Sequence, residues 1–252
     1  MKSSHLFNLF AFLALIIGTQ SSFTISHPAR EKNAKGFAVL ELFTSEGCSS
    51  CPPADELAAK IQKEMAGQEV YVLAYHVDYW DRLGWKDNFS SADFSNRQRQ
   101  YGSWLNVSPV YTPQVVVNGK SQFVGSDAAA IRRAILEQLE AKPVATLTMQ
   151  ASLEGEGLKL KYQTDPALHD SRLLVAIIQK ASQTKVLRGE NAGHILAHIQ
   201  IVRKLQSEPR VSAEGTAIVN LPKDFNAQSW EILGLVQDQR NGEILAVTKV
   251  SL

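Results

Sequence analysis

Two cysteines, Cys48 and Cys51, stand two residues apart and are the only cysteines among 252 residues. An apolar run, Phe37 to Phe43, precedes them, and a helical pattern of Leu57, Ala58, Ile61 and Met65 follows. A strand feeding a Cys-x-x-Cys at the mouth of a helix suits dithiol chemistry. The helix start carries partial positive charge and spare N–H groups, which favour a thiolate and lower its pKa below the free value of ~8.5. Cys48, expected to be the more exposed, is the attacking thiolate in this reading, and Cys51 resolves the mixed disulfide. Two other readings compete. A structural disulfide over so short a loop would stabilise by only ~2 kcal/mol in the chain-entropy picture. A structural zinc needs four ligands, and no second cysteine pair exists.

The N-terminus has the form of an export signal over residues 1–22. The apolar run Leu9 to Ile17 falls short of the ~20 residues that span a bilayer. Export, to the periplasm or as a secreted protein, places the cysteines where disulfides persist, and no stable membrane span is expected after cleavage. Without Lys2, the only charged residue of that segment other than His5, 25 basic residues face 25 acidic ones. This balance argues against nucleic acid as a partner.

Strand and helix signals alternate from Phe37 to about Lys142. A second buried strand is expected over 70–77, and parallel pairing with 37–43 follows from the helix that crosses between them. Ser90-Ser91-Ala92-Asp93 resembles a capping box ahead of a helix carrying Phe94, Tyr101, Trp104 and Leu105. Gln114 to Val117 is a strand, Asn118-Gly119 a two-residue hairpin turn, and Ser126 or Asp127 caps a helix with Ile131, Ile135 and Leu139 on its apolar face. After Pro143 the pattern becomes strand-like throughout, with runs near 172–180, 194–203, 215–221, 229–237 and 244–250. The expected architecture is an α/β domain over 36–142 followed by a mainly-β, sandwich-like domain over 143–252.

Ligand sites gather at the carboxyl ends of parallel strands. That rule brings His76, Asp78, Tyr79, Trp80 and Asp81 near Cys48. A histidine or carboxylate there can move protons during thiol–disulfide exchange, and Trp80 and Trp85 can wall a substrate. A buried, hydrogen-bonded core histidine, packing tryptophans and loop-bonding aspartates are the alternative roles. His194 and His198 lie on a strand pattern, ~13 Å apart, too far to share one ion. No metal site and no cofactor are expected.

The element order of residues 37–142 resembles a thioredoxin fold. In such proteins a cis-proline opening the hairpin strand faces the Cys-x-x-Cys and the backbone before it pairs with substrate; Thr112-Pro113 stands at that place. The whole chain resembles the exported thioredoxin-like family catalogued as domain of unknown function 1223. The resemblance is carried by Leu42 to Asp55, His76 to Asp81, Thr112-Pro113-Gln114 and Gly189-Glu190-Asn191-Ala192-Gly193. It implies the fold and the position of the site; the residues expected there are Cys48, Cys51 and Pro113 as catalytic residues, with Thr112, His76, Asp78 and Trp80 around the substrate and a protein or small thiol as redox partner. A redox-inactive binding protein on the same scaffold, or transient handling of a soft metal such as copper by the two thiolates with His76, is the alternative function.

Overall fold

The computed structural model describes residues 35–251 apart from 155 and 156; the expected signal segment 1–22 lies outside the described residues. The apolar run after Phe37 forms strand β1 (Ala38–Thr44), followed by helix α1 (Pro52–Glu64) and β2 (Val70–His76). Helix α2 (Ala92–Trp104), strands β3 (Gln114–Val117) and β4 (Ser121–Val124) and helix α3 (Ala128–Glu140) complete the first half. Seven strands follow: β5 (Thr146–Glu154), β6 (Gly157–Asp165), β7 (Ser171–Lys185), β8 (Ile195–Glu208), β9 (Glu214–Asn220), β10 (Trp230–Asp238) and β11 (Ile244–Val250).

Local signals explain most boundaries. Ser91 caps α2, its hydroxyl accepting from the Asp93 N–H at 3.2 Å, and Asp127 caps α3 through the Ala130 N–H at 3.0 Å, each satisfying a donor that the helix itself leaves unpaired. The β3–β4 turn holds three residues rather than two, since Val117 pairs with Ser121. Asn118 and Gly119 still take the positive φ values, 47° and 68°, that make this dipeptide a turn former.

Eight strands form one sheet in the order β11-β10-β7-β8-β2-β1-β3-β4, and β5-β6-β9 form a second. β1 and β2 are parallel, with Leu40 opposite Val72 and Thr44 opposite His76. The large sheet passes from the first half of the chain to the second where β2 meets β8, with Ala74 opposite Ile201. The division expected at 142/143 is therefore not a division of the sheet, and the described residues fall within one compact unit. Four of the seven late strands extend the large sheet because their two faces alternate into two different cores. Leu173, Val175 and Ile177 of β7 pack on Leu158, Leu160 and Val219 of the small sheet. Leu174, Ala176 and Ile178 join Phe43, Tyr75, Phe94 and Tyr101 on the opposite face, under α2. On β1, Ala38, Leu40 and Leu42 face Ala58 and Ile61 of α1 and Ile131 and Ile135 of α3. The second half was expected to form a sandwich-like domain of its own; instead β5-β6-β9 pack on one face of the sheet that both halves share.

Candidate functional site

β1 delivers the chain to the cysteines. After Thr44 it turns through Ser45, Glu46 and Gly47, and the Cys48 N–H donates back to the Ser45 carbonyl at 3.2 Å. A Cβ on Gly47 would lie 3.2 Å from Cβ of Trp80, so a larger residue would press on that tryptophan. Cys48 and Cys51 are joined in a disulfide with Cα atoms 5.4 Å apart. Both residues are 0% exposed. The expectation of an exposed Cys48 is not met, because the turn that carries it is covered from the other half of the chain.

The helix start supplies less to a thiolate than its position implies. A helix leaves four N–H groups without internal partners. In α1 two of them do not exist, since the first two helical positions are Pro52 and Pro53, where proline fits well. The third, on Ala54, donates to the Cys51 carbonyl at 2.8 Å, and the Cys51 N–H donates to the Cys48 carbonyl at 3.2 Å. Only the dipole and local groups remain; Sγ of Cys48 lies 3.4 Å from the Ser50 hydroxyl.

Behind the disulfide lies a cluster of ionisable groups. Glu46, His76, Asp87 and His198 are all buried. His76 Nδ1 and an Asp87 carboxylate oxygen are 2.7 Å apart. Burial alone would lower the His76 pKa, but the Asp87 charge and hydrogen bond outweigh it and hold the pKa above the ordinary value. Burial would raise the Asp87 pKa; the His76 charge reverses that, and it is lowered. The two shifts describe one buried ion pair. The Asp87 carboxylate also takes the Glu46 N–H at 2.8 Å, tying the pair to the cysteine turn. Glu46 takes the Trp85 indole N–H at 2.7 Å and faces His198 Nε2 at 3.2 Å. The His76 and His198 rings cross edge-to-face with centroids 5.0 Å apart. Asp55, one helical turn after Cys51, accepts from the Thr44 hydroxyl at 3.1 Å. Burial pushes its pKa up to about 6, with His76, His198 and Thr44 pulling the other way. Among the described residues no three such groups are arranged to hold a metal ion.

The structure gives each anticipated residue a definite place. The Trp80 indole N–H donates to the Thr112 hydroxyl at 2.8 Å, so Trp80 bridges Gly47 and the Thr112-Pro113 segment. That peptide bond is cis. Pro113 lies against the first turn of α1, for a Cβ on Gly125 would meet Pro113 and Ala54 at 2.8 and 2.9 Å. Cys48, Cys51, Trp80, Thr112 and Pro113 thus share one end of the sheet, with His76 buried behind them. Asp78 instead serves the loop, exchanging hydrogen bonds with Ser95. Asp81 also serves the loop, accepting from the Asp87 N–H and the Ser90 hydroxyl. Trp85 acts as a polar anchor for Glu46. His194 and His198 do not act together, as His194 is exposed and His198 buried.

Glu46, Asp55, Asp87, His198, Glu190 and Asn191 received no individual role from the sequence. For Asp55 a signal existed, its four-residue spacing from Cys51 on a helix. For Asp87 and His198 there was none, because their partners lie on other elements. Asn191 donates to the carbonyls of Glu46 at 2.9 Å and Cys48 at 3.0 Å, and Glu190 accepts the Ser49 N–H at 3.0 Å.

Fold and site together define a mixed α/β protein with a large mixed sheet and a disulfide at the mouth of the first helix. The chain belongs to the family described as protein of unknown function DUF1223, which matches residues 39–237. A crystal structure of a structural-genomics target from Agrobacterium tumefaciens is similar with a TM-score of 0.67 and 25% identity, over 86% of this chain and 95% of that one. HBP35 of Porphyromonas gingivalis is similar in fold, with a TM-score of 0.60 and 15% identity, over 86% of this chain and 76% of that one. Among curated proteins, none matches this sequence. Among the described residues no helix is long and apolar enough to cross a membrane.

Proposed function

We propose that the protein is an exported thiol–disulfide oxidoreductase on a thioredoxin-like scaffold. The observation that carries this reading is that the turn carrying the Cys48–Cys51 disulfide is bonded, through the Glu46 N–H to Asp87, to a buried set of proton-carrying groups. A bridge that only stapled a short loop would need no such set bonded to its turn.

In the reducing direction the Cys48 thiolate attacks one sulfur of a substrate disulfide. A bond forms between Cys48 and that sulfur, and the second substrate sulfur leaves as a thiolate. Cys51 then gives its proton to Asp55, whose raised pKa of about 6 makes it a better acceptor than an ordinary carboxylate. The Cys51 thiolate attacks Cys48, forms the intramolecular disulfide and releases the first substrate sulfur. Two electrons pass from the dithiol to the substrate. The reverse sequence oxidises a substrate dithiol. Thr112 and Pro113, at the same end of the sheet, are suited to hold substrate backbone beside Cys48.

The complete burial of both cysteines favours one alternative, a binding protein whose disulfide is structural. Trapping separates the two. Cys51→Ser removes the resolving thiolate, so a mixed disulfide at Cys48 should accumulate in the native compartment and dissolve with reductant. If nothing is captured, and the double Cys→Ser variant keeps full biological activity, the exchange reading fails.

A further inference from the structure

The segment between β7 and β8 reaches back over the cysteines from about 140 positions later in the chain. It is a closed loop: the Val186 N–H donates to the His194 carbonyl at 2.9 Å, and the Gly193 N–H donates to the Val186 carbonyl at 2.8 Å. Gly189 turns at φ +81°, and a Cβ there would lie 3.2 Å from Cβ of Trp85. Only glycine adopts that conformation without strain. Gly189 therefore lets the loop settle against Trp85 with its next two side chains over the Cys-x-x-Cys. Asn191 is buried and spends its amide on the two carbonyls that flank Gly47, those of Glu46 and Cys48. Glu190, an exposed carboxylate, takes the Ser49 N–H.

We infer that Glu190 and Asn191 are positioning residues that keep Cys48 covered and hold its thiolate less stable than the helix mouth would. The inference rests on the exchange reading above. Reduction of the disulfide places negative charge on Cys48 next to the Ser49 peptide. With Pro52 and Pro53 removing two helix donors, and Ala54 and Cys51 bonded to carbonyls, the Ser49 N–H is one of few donors in reach. Glu190 occupies it and adds a like charge at the peptide N–H that follows Cys48. Both effects oppose the thiolate and raise its pKa. An enzyme with a less stable reduced form is a weaker oxidant and a better reductant. Asn191 meanwhile ties Cys48 to the loop, so an attacking sulfur reaches the bridge only when the loop lifts.

The test uses the full chain. In a Cys51→Ser background, Glu190→Gln keeps a side-chain acceptor for Ser49 but removes the charge. The Cys48 pKa, followed by thiolate absorbance, should fall by about half a unit, modest because Glu190 is exposed to solvent. Glu190→Asp, which restores the charge, should reverse most of that fall. In the unaltered dithiol, Glu190→Gln should make the reduction potential less negative. Asn191→Ala should speed reduction of the disulfide by dithiothreitol, itself oxidised to its cyclic disulfide, by about tenfold, matching one or two lost hydrogen bonds. A Cys48 pKa that stays put or rises in Glu190→Gln overturns the inference, as does an unchanged dithiothreitol rate in a folded Asn191→Ala. A failed exchange reading looks different: the pKa and rate move as stated, yet Cys51→Ser traps no partner.

Discussion

Asp55 illustrates a residue whose chemistry depends on what is stacked around it. A carboxylate four residues into a helix is ordinarily exposed and acidic. Here α1 turns it toward Thr44, and burial lifts its pKa from 3.8 to about 6. With the folded pKa above the unfolded one, the folded state holds the extra proton between about pH 4 and 6, and stability falls as pH rises through that window. That rise corresponds to roughly 3 kcal/mol at most, and less here because the Asp55 side chain is only half-buried. Asp55→Asn should thus stabilise the oxidised protein by about 1–2 kcal/mol at neutral pH, with the gain gone below about pH 4. Urea unfolding across that range measures it, and a gain that persists at low pH would reject the assignment. The same variant should slow resolution of the mixed disulfide. The Cys-x-x-Cys was legible because its residue types and spacing are local. The partners of Glu46, which are Trp85, Asp87 and His198, were not, because they arrive from the loop before α2 and from β8.

At the scale of elements, α2 is fastened to the sheet by charge as well as by apolar packing. Arg97 donates to Glu41 on β1 at 2.8 Å, and both are buried. Tyr101 and Gln237 complete the network, with Gln237 donating to the Tyr101 hydroxyl at 2.9 Å and to the Gly242 carbonyl at 2.8 Å. One group of polar side chains thus joins β1, α2 and the β10–β11 turn. Removing one member leaves an uncompensated buried charge, so Arg97→Met should destabilise by about 3–5 kcal/mol. Glu41→Leu combined with Arg97→Met should recover a large part of that loss, because well-packed apolar replacements of buried ion pairs are often neutral. A double variant less stable than Arg97→Met alone would contradict this account. The helix itself was foreseen from Phe94 and Tyr101 and from the serine cap. Arg97 was not, for a charged residue in an amphipathic pattern reads as solvent-facing until its partner is known.

At the scale of the molecule, the large sheet makes the two halves interdependent. β2 would become an unpaired edge without β8, and β7 and β10 would lose the layer under α2. Urea unfolding should accordingly follow one transition, coincident by tryptophan fluorescence and far-UV circular dichroism. Two separated transitions, one for each half, would contradict the shared core. Residue types alone set the run of strands and helices, the parallel pairing of β1 with β2, the turn at Asn118-Gly119, and the place of Cys48 and Cys51 at a helix mouth. The elements and the turn follow from residue types within a dozen positions, and the parallel pairing from the helix that must cross between the two strands. That the strands after Pro143 extend the first sheet is a tertiary outcome, because alternation shows that a strand has two faces and not what will cover them. The same packing brings Glu190 and Asn191 to the Cys48 turn and His198 to Glu46 beside it. Those contacts join residues about 140 positions apart, where no local propensity acts and the packing of the whole sheet sets the distance.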